Sequence, residues 1–71
     1  MNFYRISVGA HSLSMWSKED AAVLRNARIT ARLTGQAALV VQVLPDYRVV
    51  ATVQPNDETV EVALVRGSLS D

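Results

Sequence analysis

The chain contains no cysteine, which excludes disulfide bonds, thiolate zinc sites and thiol catalysis. It has a single histidine, His11, and one histidine alone does not form a usual metal site. It also lacks an internal repeat or a low-complexity segment. We therefore expect no bound metal or other cofactor, and self-association is the most economical remaining aid to the stability of so short a chain.

Long apolar runs are missing as well. The longest, residues 37–41, is far too short to span a membrane. Residues 1–5 lack the basic and then apolar pattern of a signal peptide, so we expect a cytoplasmic protein. The 71 residues are 49% hydrophobic and 20% charged, which predicts one small globular domain over residues 1–71.

The net charge is zero, but the two halves of the chain differ in sign. Residues 1–35 hold five basic and two acidic side chains, whereas residues 36–71 hold two basic and five acidic ones. The acidic half contributes Asp46, Asp57, Glu58 and Glu61, which could meet the basic half of another copy.

The hydrophobic periodicity predicts one helix and four strands. Strands are indicated at residues 3–8, 37–44, 47–54 and 58–65, with short turns between the last three. Residues 9–16 show no clear period and are predicted to form a loop. Ser17 is a candidate N-cap for a helix over residues 18–34, which Gly35 would end.

This order predicts an α+β fold, a two-layer βαβββ domain in which one helix packs on a mostly antiparallel four-stranded sheet. Residues 67–71 are expected to form a flexible tail. The uncovered sheet face is a candidate interface, and we expect it to carry four apolar residues, Val40, Leu44, Val50 and Val65.

The predicted helix has one cationic face and a wide apolar arc. Its basic residues are Lys18, Arg25, Arg28 and Arg32. The small Ala27 and Ala31 would allow a second helix to approach closely. The basic face could contact nucleic acid, but a sequence pI near 6.5 argues against a dedicated nucleic-acid-binding protein. Most such faces are simply solvated.

No pattern indicates catalysis. His11 has no acidic residue nearby to orient it for a triad with Ser12 or Ser14. The segment before the helix lacks a phosphate-binding glycine pattern. We expect no catalytic residues and no enzymatic activity.

The leading hypothesis is a small non-enzymatic protein-binding domain that occupies a surface of a larger assembly. Phage or mobile-element inhibitors of host machinery are similar in size, charge polarity and lack of catalytic residues. The residues expected to contact the protein partner are Met15, Trp16, Lys18, Arg25, Arg28 and Arg32. The alternatives are a small homo-oligomeric structural or ligand-binding protein, such as a homodimer, and a nucleic-acid-binding module that uses the basic helix face. The sequence does not identify the partner, the strand order or the oligomeric state.

Overall fold

A computed structural model describes residues 1–56 and the backbone of residues 59–60. Within these residues the elements are β1 (Asn2–Val8), β2 (His11–Ser17), α1 (Asp20–Thr34), β3 (Ala38–Leu44), β4 (Arg48–Val53) and β5 (Thr59–Val60). The strands form one antiparallel sheet in the order β2-β1-β3-β4-β5. The predicted α+β class, with one helix packed on an antiparallel sheet, is confirmed.

The first strand alternates as predicted. Tyr4, Ile6 and Val8 are buried beneath α1. The helix contacts β1, β3 and β4 more than β2, so its axis lies over the middle of the sheet. The core is therefore a single layer between the helix and one sheet face. Its members are Tyr4, Ile6, Val8, Val23, Leu24, Ala27, Ala31, Ala38, Val40, Val50, Ala51 and Val53.

The predicted loop over residues 9–16 is wrong. Residues 9 and 10 form a tight turn, and His11–Ser17 pairs with β1 along its whole length. Gly9 has φ +58°, which a two-residue hairpin turn requires at its first position. The alternation of Leu13 and Met15 with Ser12 and Ser14 is a strand pattern, and β2 becomes an edge strand of the sheet.

The helix begins two residues later than predicted. Glu19 occupies the N-cap position, and the Ser17 hydroxyl accepts a hydrogen bond from the Glu19 N–H at 3.2 Å instead of from Asp20. The prediction that Gly35 ends the helix is confirmed, since Gly35 is left-handed and its N–H donates to the Ala31 carbonyl. Among the described residues, no helix is long and apolar enough to cross a membrane.

The packing face of α1 also differs from one expectation. Ala27 and Ala31 are fully buried against the sheet, so they do not form a docking stripe for a second helix. Their small side chains instead bring the helix close to the strands. Ile29 and Leu33 are exposed on the flank of the helix.

An irregularity in the pairing of β3 with β4 decides which side chains of β4 share a face. The pairing of β3 with β4 shifts between Val40 and Val41, which leaves Val50 as an extra residue in β4. Such a bulge reverses the alternation along one strand. As a result, Val50 and Ala51 are both buried against the helix layer. The prediction that Val40 and Val50 lie on the uncovered face is therefore wrong, and Val65 lies outside the described residues.

Candidate functional site

A polar network joins the start of α1 to the sheet. Asp20 is the first residue of the helix, and its carboxylate accepts two hydrogen bonds from Arg48, at 2.9 and 3.1 Å. The hydroxyl of the fully buried Tyr4 donates to the same carboxylate at 2.6 Å. Arg48 also donates to the Gln42 side-chain oxygen at 2.6 Å. The bulge in β4 makes this network possible, because it places Arg48 on the helix side of the sheet.

The hydrogen bonds from Arg48, followed by that from Tyr4, lower the pKa of Asp20 although burial opposes them. Burial, and then the hydrogen bond to Asp20, raise the pKa of Tyr4. The hydrogen bond to Asp20 raises the pKa of Arg48. The network therefore holds an ionised carboxylate against a cation and a neutral phenol. A carboxylate whose oxygens already accept hydrogen bonds from Arg48 and Tyr4 holds the helix against the sheet and is poorly placed to act as a general base.

Aromatic and apolar side chains gather at the same end of the sheet on its uncovered face. Phe3 pairs with Trp16 on β2 and with Leu44 on β3, so these three side chains point to one side. The rings of Phe3 and Trp16 are tilted by 51° with their centroids 4.8 Å apart. Tyr47 lies in the turn that follows Leu44, just before β4. We call Phe3, Trp16, Leu44 and Tyr47 the aromatic end.

The aromatic end is unusually exposed for its composition. Trp16 is 55% exposed and Tyr47 is 71% exposed, while Phe3 lies half-buried beneath Trp16. Large aromatic side chains of this kind carry much of the energy at protein interfaces. The aromatic pairing with Phe3 also restricts Trp16 before any partner arrives, which lowers the entropy cost of binding.

Sequence reasoning selected Met15 and Trp16 together, but the structure separates them. They are consecutive residues of β2, so their side chains lie on opposite faces of the sheet. Met15 packs against the core, and its sulfur accepts a hydrogen bond from Asn26 at 3.2 Å. Trp16 stays on the uncovered face.

The predicted cationic residues belong to the other layer of the domain. Arg25, Arg28 and Arg32 are exposed on the outer side of α1, and Lys18 is exposed just before the helix. The helix and the aromatic end lie on opposite faces of the sheet. The predicted contact residues therefore do not form one continuous surface.

The geometry of the described residues offers no support for a catalytic or metal-binding site. Among residues 1–56 and 59–60, no group of three or more His, Asp and Glu side chains could hold a metal ion. His11 is exposed at the start of β2, away from Asp20 at the opposite end of the strand pair. Its neighbours Ser12 and Ser14 lie on the other face of the sheet.

A second surface runs between β2 and α1. It is a shallow groove in two parts, of about 220 and 340 Å³, which share Ile6, Leu13 and Thr30 as lining residues. These volumes lie at or below the lower end of the range of about 300–1,000 Å³ that is usual for small-molecule sites. The Thr30 hydroxyl donates a hydrogen bond to the Asn26 carbonyl, so its proton is already used within the helix and adds little polar character to the groove.

Comparison with known proteins does not assign a family: no family model, curated protein or solved structure matches the chain.

Three residues of the aromatic end were not selected from the sequence as partner contacts. Of Phe3, Leu44 and Tyr47, only Leu44 was expected to lie on the open sheet face. The strand register places Phe3 beside Trp16 and Leu44, and the pairing with Trp16 depends on the hairpin turn at Gly9. With residues 9–16 taken as a loop, nothing placed Trp16 beside Phe3.

Proposed function

We propose that this domain is a non-enzymatic protein-binding module whose contact surface is the aromatic end. The observation that carries the proposal is the exposure of Trp16 beside Phe3 and Leu44 on the uncovered sheet face, with the exposed Tyr47 in the adjoining turn between β3 and β4. Burying exposed aromatic surface against a partner is favourable by about 25 cal/mol per Å². The module would act by occupying a complementary apolar surface of a larger assembly.

The support beneath the aromatic end favours a preorganised contact. Phe3 and Trp16 sit on paired strands, and the chain around Tyr47 is fixed from both sides. On one side, the Gln42 side-chain amide donates to the Asp46 carbonyl at 2.9 Å. On the other, Arg48 is held by Asp20. A surface that is already ordered loses less conformational entropy on binding than a mobile loop.

The composition of the aromatic end also favours a protein over a nucleic acid. Its four members are uncharged; Arg5 shares the uncovered face, but Arg25, Arg28 and Arg32 lie on the opposite layer. Base-stacking proteins place aromatic residues within a positively charged groove. Interface cores between proteins instead combine aromatic enrichment with depletion of charge.

The test is affinity capture from the source cell with matched variants. The immobilised wild-type domain is compared with Trp16→Ala and Tyr47→Ala. The control is Leu33→Ala, which removes a residue that is 82% exposed on the helix layer. We expect proteins that are retained by wild type and by Leu33→Ala but lose at least about tenfold in affinity with Trp16→Ala, as hot-spot residues do.

Folding must be checked in parallel, because Trp16→Ala also removes the ring pair with Phe3. That pair contributes about 1 kcal/mol, which lowers the stability without unfolding a domain of ordinary stability. Tyr47→Ala, at a more exposed site, should leave the circular dichroism melt nearly unchanged. Retention of the same proteins by all four forms, or by none, would contradict the proposal.

A further inference from the structure

Within the part of the chain that the structure describes, β2 is the outermost strand on its side of the sheet, and its outer edge combines features that are rare on a sheet edge. The strand is seven residues long and contains no proline and no lysine, arginine, aspartate or glutamate. Natural edge strands are usually short, bulged or charged, because an open edge pairs readily with another strand. The pairing of β2 with β1 is regular from His11 to Ser17. Nothing in β2 therefore opposes the addition of a further strand.

The hairpin register identifies the backbone groups that face outward. In a two-residue hairpin the first pair, Val8 with His11, exchanges both backbone hydrogen bonds, and such pairs then alternate along the ladder. His11, Leu13, Met15 and Ser17 thus direct their N–H and C=O groups to β1. Ser12, Ser14 and Trp16 direct theirs away from it.

Apolar side chains lie along the same edge. Leu13 is exposed on the helix side of β2, and the exposed Ile29 of α1 lines the same groove. A strand added beside β2 would cover both of them. The added strand should therefore present apolar side chains on the helix side.

We propose that the occupant of this edge is β2 of a second copy, which makes the protein an antiparallel homodimer with a continuous sheet. Placing Ser14 opposite its own symmetry mate pairs all seven residues of β2. In this register Leu13 lies beside Met15 of the second copy on the helix side, and Ser12 lies beside Trp16 on the other. The outward-facing residues 12, 14 and 16 become the hydrogen-bonded pairs.

The match of β2 to itself favours a second copy, because in this register the apolar Leu13 and Met15 meet on the helix side and Ser14 meets Ser14 on the other, and the neutrality of β2 removes any repulsion between the copies. Two copies carry identical charges, and like charges directly opposite each other on paired strands are destabilising. Because β2 contains no lysine, arginine, aspartate or glutamate, no two like charges of β2 face each other in the proposed register, and His11 lies opposite Ser17. The inference does not rest on the aromatic end, because that surface uses side chains of the uncovered face whereas this one uses the strand edge.

The test uses charge reversal at the symmetry axis. Ser14→Lys and Ser14→Glu each place like charges opposite one another in the homodimer. Two like charges about 4–5 Å apart at an exposed site should weaken the dimer by about fivefold in Ser14→Lys, and by less in Ser14→Glu, because Arg5 of the same copy lies opposite each glutamate. Sedimentation equilibrium over a range of concentrations measures this for wild type, for each variant and for their equimolar mixture.

The expected result has three parts. Wild type forms a dimer, and each variant dissociates at a higher protein concentration than wild type does. The equimolar mixture forms the dimer again because Lys then faces Glu. Loss of folding cannot imitate this pattern. Ser14 lies opposite Arg5 on β1, so within one copy Ser14→Glu gains an ion pair while Ser14→Lys gains a repulsion.

A wild-type chain that stays monomeric up to about millimolar concentration would overturn the inference, since an affinity that weak has no more than marginal binding energy. That result would exclude a second copy as the occupant of the β2 edge and would leave a strand of another protein as the candidate. A dimer that both variants leave unchanged, or that the mixture fails to recover, would also overturn it, because the interface would then lie elsewhere.

Discussion

Replacement of Asp20 should show how strongly the polar network joins the helix to the sheet. In Asp20→Ala the Tyr4 hydroxyl loses its acceptor while it remains fully buried. Hydrogen bonds to charged groups contribute about 1.5–3 kcal/mol, and a buried donor without a partner costs a similar amount. The contribution of Arg48 is smaller, since the two side chains of the ion pair are 34% and 37% exposed. Solvent screening limits such a pair to about 1 kcal/mol or less.

The sum is a loss of about 2–3 kcal/mol in the free energy of unfolding for Asp20→Ala. For a domain of this size, that loss lowers the melting temperature by about 10–20 °C. Urea unfolding followed by circular dichroism measures it. Tyr4→Phe and Arg48→Met complete two double-mutant cycles. We expect a larger coupling of Asp20 with Tyr4 than with Arg48, because only Tyr4 is fully buried. A loss below about 0.5 kcal/mol would be that of an ordinary surface site and would refute this account.

The pH dependence supplies a second readout for the same residue. The pKa of Asp20 is lowered in the folded protein from its usual value of 3.8, mainly by the hydrogen bonds from Arg48. A group with a lowered folded pKa stabilises the protein above its unfolded pKa, and this stability is lost as the pH falls through the folded pKa. Wild type should therefore lose stability below about pH 4. Asp20→Asn, which cannot ionise, should lose less over the same interval, and parallel curves would contradict the assignment.

Two further substitutions test the packing of the fold. Gly9→Ala forces an alanine into a backbone with φ +58° and directs its methyl group at the Gln36 side-chain amide, so we expect a loss of about 1 kcal/mol in urea unfolding. Gly9→Asn, which tolerates this conformation better, should cost less, and equal costs would argue against backbone strain as the cause. Ala27→Leu overfills the fully buried contact between α1 and the sheet and should cost about 1–3 kcal/mol. The exposed Ala21→Leu on the same helix should change stability by no more than about 0.5 kcal/mol, and a similar loss at both positions would contradict the observed helix face.

The periodic segments were predictable because each forms its structure through short-range patterns. The alternation of β1 and the left-handed glycine after α1 agree with the structure. The hairpin turn at Gly9 also left a signal, a glycine two residues before a new alternating segment, but Trp16 obscured the alternation of β2. An exposed tryptophan interrupts a pattern that assumes burial of large apolar residues. The residue that obscured the strand pattern is the one that the strand places beside Phe3 on the uncovered face.

The bulge in β4 had no comparable signal. Residues 47–54 alternate cleanly in sequence, which predicts Val49 with Ala51 on one face and Arg48 with Thr52 on the other. The extra residue at Val50 changes this, and Arg48 reaches Asp20 on the helix side. Local propensity cannot specify a bulge, because the bulge depends on the register of the neighbouring strand. The Asp20–Arg48 ion pair could therefore not be predicted from the sequence alone.

The two proposed surfaces share β2 and can still be separated by experiment. Pairing of two β2 edges would leave both copies of Trp16 on the same uncovered face, a few residues on either side of the symmetry axis. A partner that offers two matching sites would then bind with avidity, which can exceed the single-site affinity by about 10²–10⁴. Ser14→Lys should reduce that avidity while the affinity of one site is unchanged, whereas Tyr47→Ala, which lies outside β2, should reduce the single-site affinity and leave the sedimentation of the free protein almost unaltered. If the two substitutions instead had the same effect on both measurements, the edge and the aromatic end would be parts of one interface.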